Sequence, residues 1–476
     1  MSKELIKIIP EIMLLALALI GQLIAVFSKK NKYVVYLVLA AICLIAVLIF
    51  DESWQILSNY PDAGLGQGIF GMDASNLSRI ITLAFTFGTV IFYQDYIEIT
   101  GYKFKIEFIT LMLLSTLGIW IAVSADNLLS LFCGLEMQAL PGYALAAFNN
   151  SNSKSSEAGL KYFILGALAS CLTLFGMSFT YGFSGSLDYS IIKQTLNNGA
   201  EQNIGLIIGV TLIFTSIIFK LSAAPMHVWA PDVYEGAPIP AVNFFATAQK
   251  IGTLLILIHS LHYLVGEFLP VRIYLFKVLA ALSMLIGAFG GIRQNSLKRL
   301  MAYSTVLNMG YILMAVSLND IRINIVAVGY MLIYIISVNG FFVLLLSLLG
   351  QKSDEATFED IKGAGYSRKA IAGAISIIMF SNIGLPPLAG FFGKYFIFYQ
   401  AIAEREFILA ILGILTSVVA SFYYLKVVKV MYFTDKYTEI TSIPTRMGLL
   451  ILSCFSIAFI LCFSLFGTCI FWSFVN

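Results

Sequence analysis

The chain has 476 residues, of which 59% are hydrophobic and only 12% charged, against about 25% charged in an ordinary soluble domain. That composition excludes an ordinary soluble domain, and the formal net charge of +3, spread along the chain with no basic cluster, is too small for a nucleic-acid footprint. The composition describes an all-α polytopic membrane protein, because in lipid a chain this apolar satisfies its backbone within helices.

In chain order, apolar runs of about 20 residues, the length that crosses a bilayer, fall near 8–27, 33–50, 77–93, 108–123, 128–148, 160–181 and 204–221. They continue near 241–265, 275–291, 300–318, 323–349, 370–401, 407–433 and 449–471, giving about fourteen transmembrane helices. The first run has no small-residue cleavage site behind it and is itself long enough to span, so it reads as a retained helix with no targeting peptide.

Loop charge tests this reading independently, since cytoplasmic loops are enriched in Lys and Arg. One alternate set of loops carries Lys29, Lys30, Lys32, Lys103, Lys105, Lys154, Arg293, Lys298, Arg299, Lys352, Lys362, Arg368, Lys369, Lys429, Lys436 and Arg446. The other holds only Lys193, Arg272, Arg322 and Arg405, and the connection from Asp51 to Asp73 has acids and no base. An even number of spans with both termini on the external side fits this asymmetry. Internally, SIIFKLSAAP ending at Pro225 echoes SIIMFSNIGLP ending at Pro386. Paired proline-broken helices of this kind point to an inverted-repeat transporter architecture with unwound backbone beside a hydrated path.

Ionisable residues inside the apolar runs mark the chemistry, because each costs roughly 2.5 to 3.5 kcal/mol at bilayer depth. Glu136 lies about nine residues into the fifth run, roughly 13 Å deep, and needs a cationic partner; Lys220 in the seventh run is the natural one. Lys250 follows Pro238 by twelve residues, about 18 Å, and has no acid on its own helix, which suits an amine that exchanges a proton. Lys394 follows Pro386 and Pro387, where two missing amide donors open the twelfth run and free carbonyls for its ammonium; it reads as the second-half counterpart of Lys220. Lys161, at the start of the sixth run, reads equally well as a relay group or as a snorkelling lysine. His227, after Pro225, is a candidate gate or relay because imidazole titrates near neutrality; a hydrogen-bonded loop histidine is the other reading.

Other features carry less. His259 and His262 lack the further ligands of a metal site. The six cysteines, Cys43, Cys133, Cys171, Cys454, Cys462 and Cys469, show no CxxC spacing and read as small core hydrophobes. The GxGxxG of Gly66, Gly68 and Gly71 follows no strand. No HExxH, GxSxG or Walker pattern occurs, which leaves no support for a hydrolase or an NTPase.

Three segments, FKLSAAPMHVWAPDVYEGAPIP, NSLKRLMAYSTVLNMGYILMA and NIGLPPLAGFFGK, together resemble the antiporter-like membrane subunits of the proton-pumping NADH:quinone oxidoreductase, respiratory complex I. The likeness runs from about Phe108 to Phe433. WAPDVYEGAP distinguishes one branch, since the larger sister subunits and the related sodium/proton antiporters carry a histidine-containing run after the tryptophan and proline. The resemblance implies two inverted-topology five-helix repeats, each with a proline-broken helix. Three helices over 1–104 would precede repeats at 105–267 and 268–435, with a last helix in 436–476. It further implies Glu136 and Lys220 as the acid and lysine of the proton-uptake half, Lys250 as the central lysine, Lys394 as the exit lysine and Lys161 as a bridging lysine. Some sister subunits have glutamate at the exit position, so their exit chemistry does not transfer directly. The implied chain binds no cofactor. NADH, FMN, iron–sulfur clusters and quinone belong to other subunits, the membrane-arm subunits and the lipid bilayer are its partners, and a bacterial inner membrane is its place. A sodium/proton antiporter on the same scaffold, and a tethering subunit with no transport role, are the rival expectations.

Overall fold

Lipid offers the backbone no hydrogen-bond partner, so runs of this composition close their amides and carbonyls within helices. The computed structural model describes residues 3–27, 31–59, 74–103, 105–197, 203–265, 269–318, 322–434 and 446–475. Its helices are α1 (Lys3–Phe27), α2 (Asn31–Asn59), α3 (Ala74–Thr100), α4 (Ile106–Val123), α5 (Leu128–Ala146), α6 (Ser153–Ser184), α7 (Tyr189–Asn197), α8 (Ile204–Leu221), α9 (Trp229–Gly236) and α10 (Ile239–Ala246). They continue as α11 (Ala248–Ser260), α12 (Leu269–Gly290), α13 (Leu297–Val316), α14 (Arg322–Leu349), α15 (Ala364–Ser367), α16 (Lys369–Ile383), α17 (Ala389–Ala403), α18 (Phe407–Tyr432) and α19 (Met447–Val475). A π-helical turn, Leu261–Val265, prolongs α11. Among the described residues, eight helical stretches are long and apolar enough to cross a membrane, and five shorter apolar helices accompany them.

Each apolar run read from the sequence falls on a helix or on a helix pair. The differences lie in interruptions and ends. The run at 241–265 is two helices, α10 and α11, parted at Thr247 (φ −114°, ψ −87°), where neither Pro nor Gly gives warning. α6 starts at Ser153, seven residues ahead of the expected 160. α2 continues to Asn59, into what read as a loop. The short α7 buries Tyr189, Ile192 and Leu196, a helical stripe too brief to register as a span. The GxGxxG glycines fall at 60–73, outside the described residues.

Small residues set the closest crossings, as expected where lipid supplies no hydrophobic drive between helices. A Cβ at Gly134 on α5 would meet the Ala122 Cα of α4 at 2.8 Å, and one at Gly176 on α6 would meet the Gly209 carbonyl of α8 at 2.6 Å. α4 packs on α5 and α6 on α8; further along the chain α12 packs on α13, and α14 on α16, α17 and α19. Every residue of α10 and α11 is buried, so this broken pair forms the centre.

The cysteines correct the sequence reading. Cys43, Cys133, Cys171, Cys454 and Cys462 are all exposed, on the outer faces that also carry Leu160, Phe163, Ile411 and Leu415. Acyl chains are as apolar as a protein core, so a small hydrophobe between large ones has no preference for the interior. The side chain of Cys469 lies outside the described residues.

Candidate functional site

Helix α8 ends at Leu221 because Ser222 turns left-handed (φ 55°) and Pro225 follows. An ended helix leaves its last carbonyls without intrahelical donors. Here the Phe219 carbonyl accepts from the Ser222 amide at 2.9 Å and from the Trp229 indole at 2.8 Å. The Lys220 carbonyl accepts from the Lys250 ammonium at 3.0 Å. Lys250, 1% exposed, also donates to Ser222 Oγ at 2.6 Å and stands 5.0 Å above the Trp229 ring. Its charge is thus held by the negative end of a helix, a hydroxyl and an aromatic face.

A similar construction stands at the other broken helix. Helix α16 ends at Ile383 with Gly384 left-handed (φ 94°), and the Phe380 and Ser381 carbonyls accept from the Gly384 amide. Those of Asn382 and Ile383 accept from Lys394 at 2.8 and 3.2 Å. Lys394, 5% exposed, donates as well to Ser417 Oγ at 3.0 Å and lies 5.5 Å from the Tyr311 ring centroid. By what its ammonium touches, Lys394 corresponds to Lys250, not to Lys220 as the sequence suggested. Among the described residues no carboxylate is within ion-pair distance of either lysine. Charge at these two points rests on dipoles that do not move with it.

Glu136 and Lys220 do not form the expected direct ion pair. Ser170 Oγ on α6 makes a short hydrogen bond to the Glu136 carboxylate, while the Lys220 ammonium donates to the Leu135 carbonyl at 3.0 Å. Lys220 therefore bonds the residue next to Glu136, near enough for the carboxylate to attract it through space. Pro141, five residues beyond Glu136 in the same helix, has no amide to donate back into the preceding turn. The pair is adjacent and disengaged, which leaves each partner able to change its hydrogen bond without breaking a buried contact ion pair.

Lys161 stands apart. Its side chain is 43% exposed and forms ion pairs with Glu157 at 2.7 Å and Asp232 at 2.8 Å. Asp232 and Glu235 on α9 also hold Arg299 of α13, at 2.8 and 2.9 Å, so a charged cavity joins α6, α9 and α13. His227 sits in the turn after Pro225 with its ring 6.4 Å from that of Tyr303. Its ring is partly buried and faces the Pro225 backbone. His259 is anchored to the Ala125 carbonyl at 3.2 Å.

Several polar residues escaped the sequence reading. Lys298, counted there as a loop charge, is buried and donates to the Ala237 carbonyl at 2.8 Å. Asp354 beside it accepts from the first amide of α10, Ile239 N, at 2.8 Å and from Tyr96 at 2.6 Å. Gln249 donates to Ser115 at 2.9 Å, Ser115 to the Gln138 carbonyl at 2.9 Å, and Gln138 to Thr253 at 3.0 Å. This network ties the helix of Glu136 to that of Lys250. The one available signal was the i, i+4 spacing of Gln249 and Thr253 in an apolar helix. Among the described residues no three His, Cys, Asp or Glu side chains converge as metal ligands.

Comparison with known proteins agrees with this architecture. Residues 125–420 match the family described as NADH:quinone oxidoreductase/Mrp antiporter, TM, a stretch that includes both broken helices. The chain is 47% identical over 463 residues to NADH-quinone oxidoreductase subunit N of Rickettsia felis, covering 96% of this chain and 98% of that relative. It is 50% identical over 456 residues to the subunit N of Rickettsia bellii, covering 95% and 98%. A chain of respiratory complex I from Thermus thermophilus has the same fold, with a TM-score of 0.79 at 25% identity over 97% of this chain and 98% of that one.

Proposed function

The chain belongs to the NADH-quinone oxidoreductase subunit N family, and from that premise we propose that it is a proton-translocating membrane subunit of a bacterial NADH:quinone oxidoreductase. The branch singled out by WAPDVYEGAP is the subunit N branch. Electron transfer from NADH to quinone takes place in partner subunits, which carry the FMN, the iron–sulfur clusters and the quinone site. This chain takes up that energy and moves protons outward.

The observation that carries the reading is the Lys250 ammonium, buried at the centre and bonded to the backbone carbonyl of Lys220. Protons enter through Glu136 and Lys220, pass to Lys250 and leave by Lys394, with Lys161 bridging at the rim and His227 beside the break at Pro225. When Lys220 moves from the Leu135 carbonyl onto the Glu136 carboxylate, the charge that Lys250 meets across α8 changes. Coupling then needs no redox group on this chain. Moving one charge outward costs about 2.3 kcal/mol per 100 mV, and making or breaking one buried ion pair is of that size.

The same reading assigns fourteen spans with both termini external in a bacterial inner membrane. Three helices in 1–104 precede inverted repeats at 105–267 and 268–435, and the last helix falls in 436–476. The repeated lysine-on-open-helix arrangement at Pro225 and at Pro386–Pro387 supports it. Other membrane-arm subunits are the partners.

The matching family description also names Mrp antiporters, which makes sodium/proton exchange the second reading. In proteoliposomes containing the whole complex, Glu136→Gln is expected to lower the number of protons moved per NADH oxidised, with no NADH-linked sodium flux. An unchanged proton ratio excludes the channel reading, and sodium flux that disappears in Glu136→Gln favours the antiporter.

A further inference from the structure

The segment NSLKRLMAYSTVLNMGYILMA contributes to the family resemblance, yet none of the lysines discussed above lies in its hydroxyl-rich middle. It folds as α13, where Ser304, Asn308 and Tyr311 recur at i, i+4 and i+7, one stripe about 10 Å long, with Thr305 beside it. The stripe faces Tyr330 and Tyr334 of α14 and Tyr424 of α18, and all of these side chains are buried. Thr305 Oγ1 and the Tyr334 hydroxyl are 2.9 Å apart, Tyr334 and Ser304 Oγ 3.2 Å, and Ser304 and the Tyr424 hydroxyl 2.6 Å. Asn308 braces the run by donating to the Ser304 carbonyl at 2.7 Å and accepting from Tyr330.

The ends of this run point at the two buried lysines. Near Thr305 and Tyr334 lies Tyr234 of α9, whose ring is next to Trp229, the ring under Lys250. Near Tyr424 lies Tyr311, the ring under Lys394, with its hydroxyl beside Thr416 and Ser417; Ser417 is the hydroxyl that Lys394 bonds. The Tyr234 and Tyr311 hydroxyls are buried and neither makes a hydrogen bond of good geometry. The Tyr234 hydroxyl has Thr305 beside it and the Tyr311 hydroxyl has Thr416 and Ser417, so each end of the bonded run has a further hydroxyl within reach.

We propose that Tyr334, Ser304 and Tyr424 form a hydroxyl relay that carries protons between the Lys250 side of the molecule and Lys394. The inference rests on the proton-channel reading above and names the residues of its middle step. A proton arriving at the Tyr334 oxygen releases that group's own proton to Ser304, Ser304 releases its own to Tyr424, and the proton leaving Tyr424 reaches the neutral Lys394 amine by way of Tyr311 and Ser417. No bond to carbon forms or breaks; each hydroxyl ends unchanged and turned the other way, since each has one proton to give and a lone pair to receive.

The test uses the assembled complex in proteoliposomes and reads protons moved per NADH oxidised, with the amount of assembled complex measured alongside. Tyr334→Phe and Ser304→Ala, each of which deletes one oxygen, remove a positioned proton-transfer group that contributes about 10²-fold or more to its step, and are expected to lower the ratio as far as Lys250→Ala does. Ser304→Thr, which keeps the hydroxyl, is expected to restore it, a rescue that a mere packing defect would not show. Lys250→Ala runs in parallel. Loss of pumping in Lys250→Ala with full pumping in Tyr334→Phe and Ser304→Ala overturns the relay and leaves the channel reading standing. Full pumping in Lys250→Ala overturns both. Should Ser304→Ala fail to assemble, Tyr424→Phe decides by the same ratio.

Discussion

The ammonium of Lys250 donates to the backbone carbonyl of Lys220 at 3.0 Å, so the central lysine of α11 is bound to the main chain of the residue whose side chain neighbours Glu136. One residue thereby faces both partners: its side chain the Leu135 carbonyl, its carbonyl the next lysine. A shift of the end of α8 that re-pairs Lys220 with Glu136 must move the carbonyl on which Lys250 rests. In the proposed mechanism this shared residue adds a geometric link to the electrostatic one, through the Lys220 backbone.

Ser222 tests that support. Its hydroxyl accepts from Lys250 at 2.6 Å while its backbone is left-handed, a conformation that glycine adopts freely. Ser222→Gly therefore removes the acceptor while relieving the backbone, and a hydrogen bond to a charged group contributes about 1.5–3 kcal/mol. Assembled complex is expected at the parental level, with fewer protons moved per NADH. Equal ratios for the two proteins would show that the hydroxyl does not hold the lysine.

Ser170 plays the matching part for Glu136. Ser170→Ala frees the carboxylate to engage Lys220 permanently, which predicts slower pumping, whereas Ser170→Thr keeps the donor and is expected to pump normally. Proton uptake rates of the two variants in matched vesicles compare them directly.

The Lys161–Asp232 pair is half exposed, and exposed ion pairs contribute about 0.2–1 kcal/mol. A double-mutant cycle with Lys161→Ala and Asp232→Asn, read by thermal unfolding of the complex, is expected to return a coupling in that range. Lys161→Ala is also expected to reduce pumping far less than Lys250→Ala does. A pumping loss equal to that of Lys250→Ala would place Lys161 in the main path.

The α4–α5 crossing predicts an assembly phenotype. A Cβ at Gly118 would meet the Met137 carbonyl carbon at 2.6 Å and the Gly134 oxygen at 2.8 Å, both in the turns flanking Glu136. Gly118→Val adds more bulk than the contact admits, a cost of about 1–3 kcal/mol, and less subunit in the assembled complex is the expected result on native gels.

Much of this was legible in the sequence, for identifiable reasons. Glu136, Lys220, Lys250 and Lys394 stood out because a charge inside an apolar run has few explanations. Pro225 and the Pro386–Pro387 pair marked helix breaks because proline lacks the amide. The break at Thr247 was illegible, since threonine is compatible with an unbroken helix. So was the hydroxyl run at Ser304, Tyr334 and Tyr424, three residues on three helices whose types fit a membrane interior without comment. Facing was the other blind spot: Cys133 and Cys171 point outward, and Lys298 points inward. When outside and inside are equally apolar, composition does not set the rotation of a helix; small-residue crossings such as Gly134 on Ala122 do.

The most direct measurement of the central claim is the number of protons translocated per NADH oxidised by assembled complex carrying Lys250→Ala in sealed proteoliposomes. If the lysine held on the open end of α8 is an obligatory stop for the proton, this chain's share of translocation vanishes while the complex remains intact. A ratio equal to that of the parent complex would contradict the account.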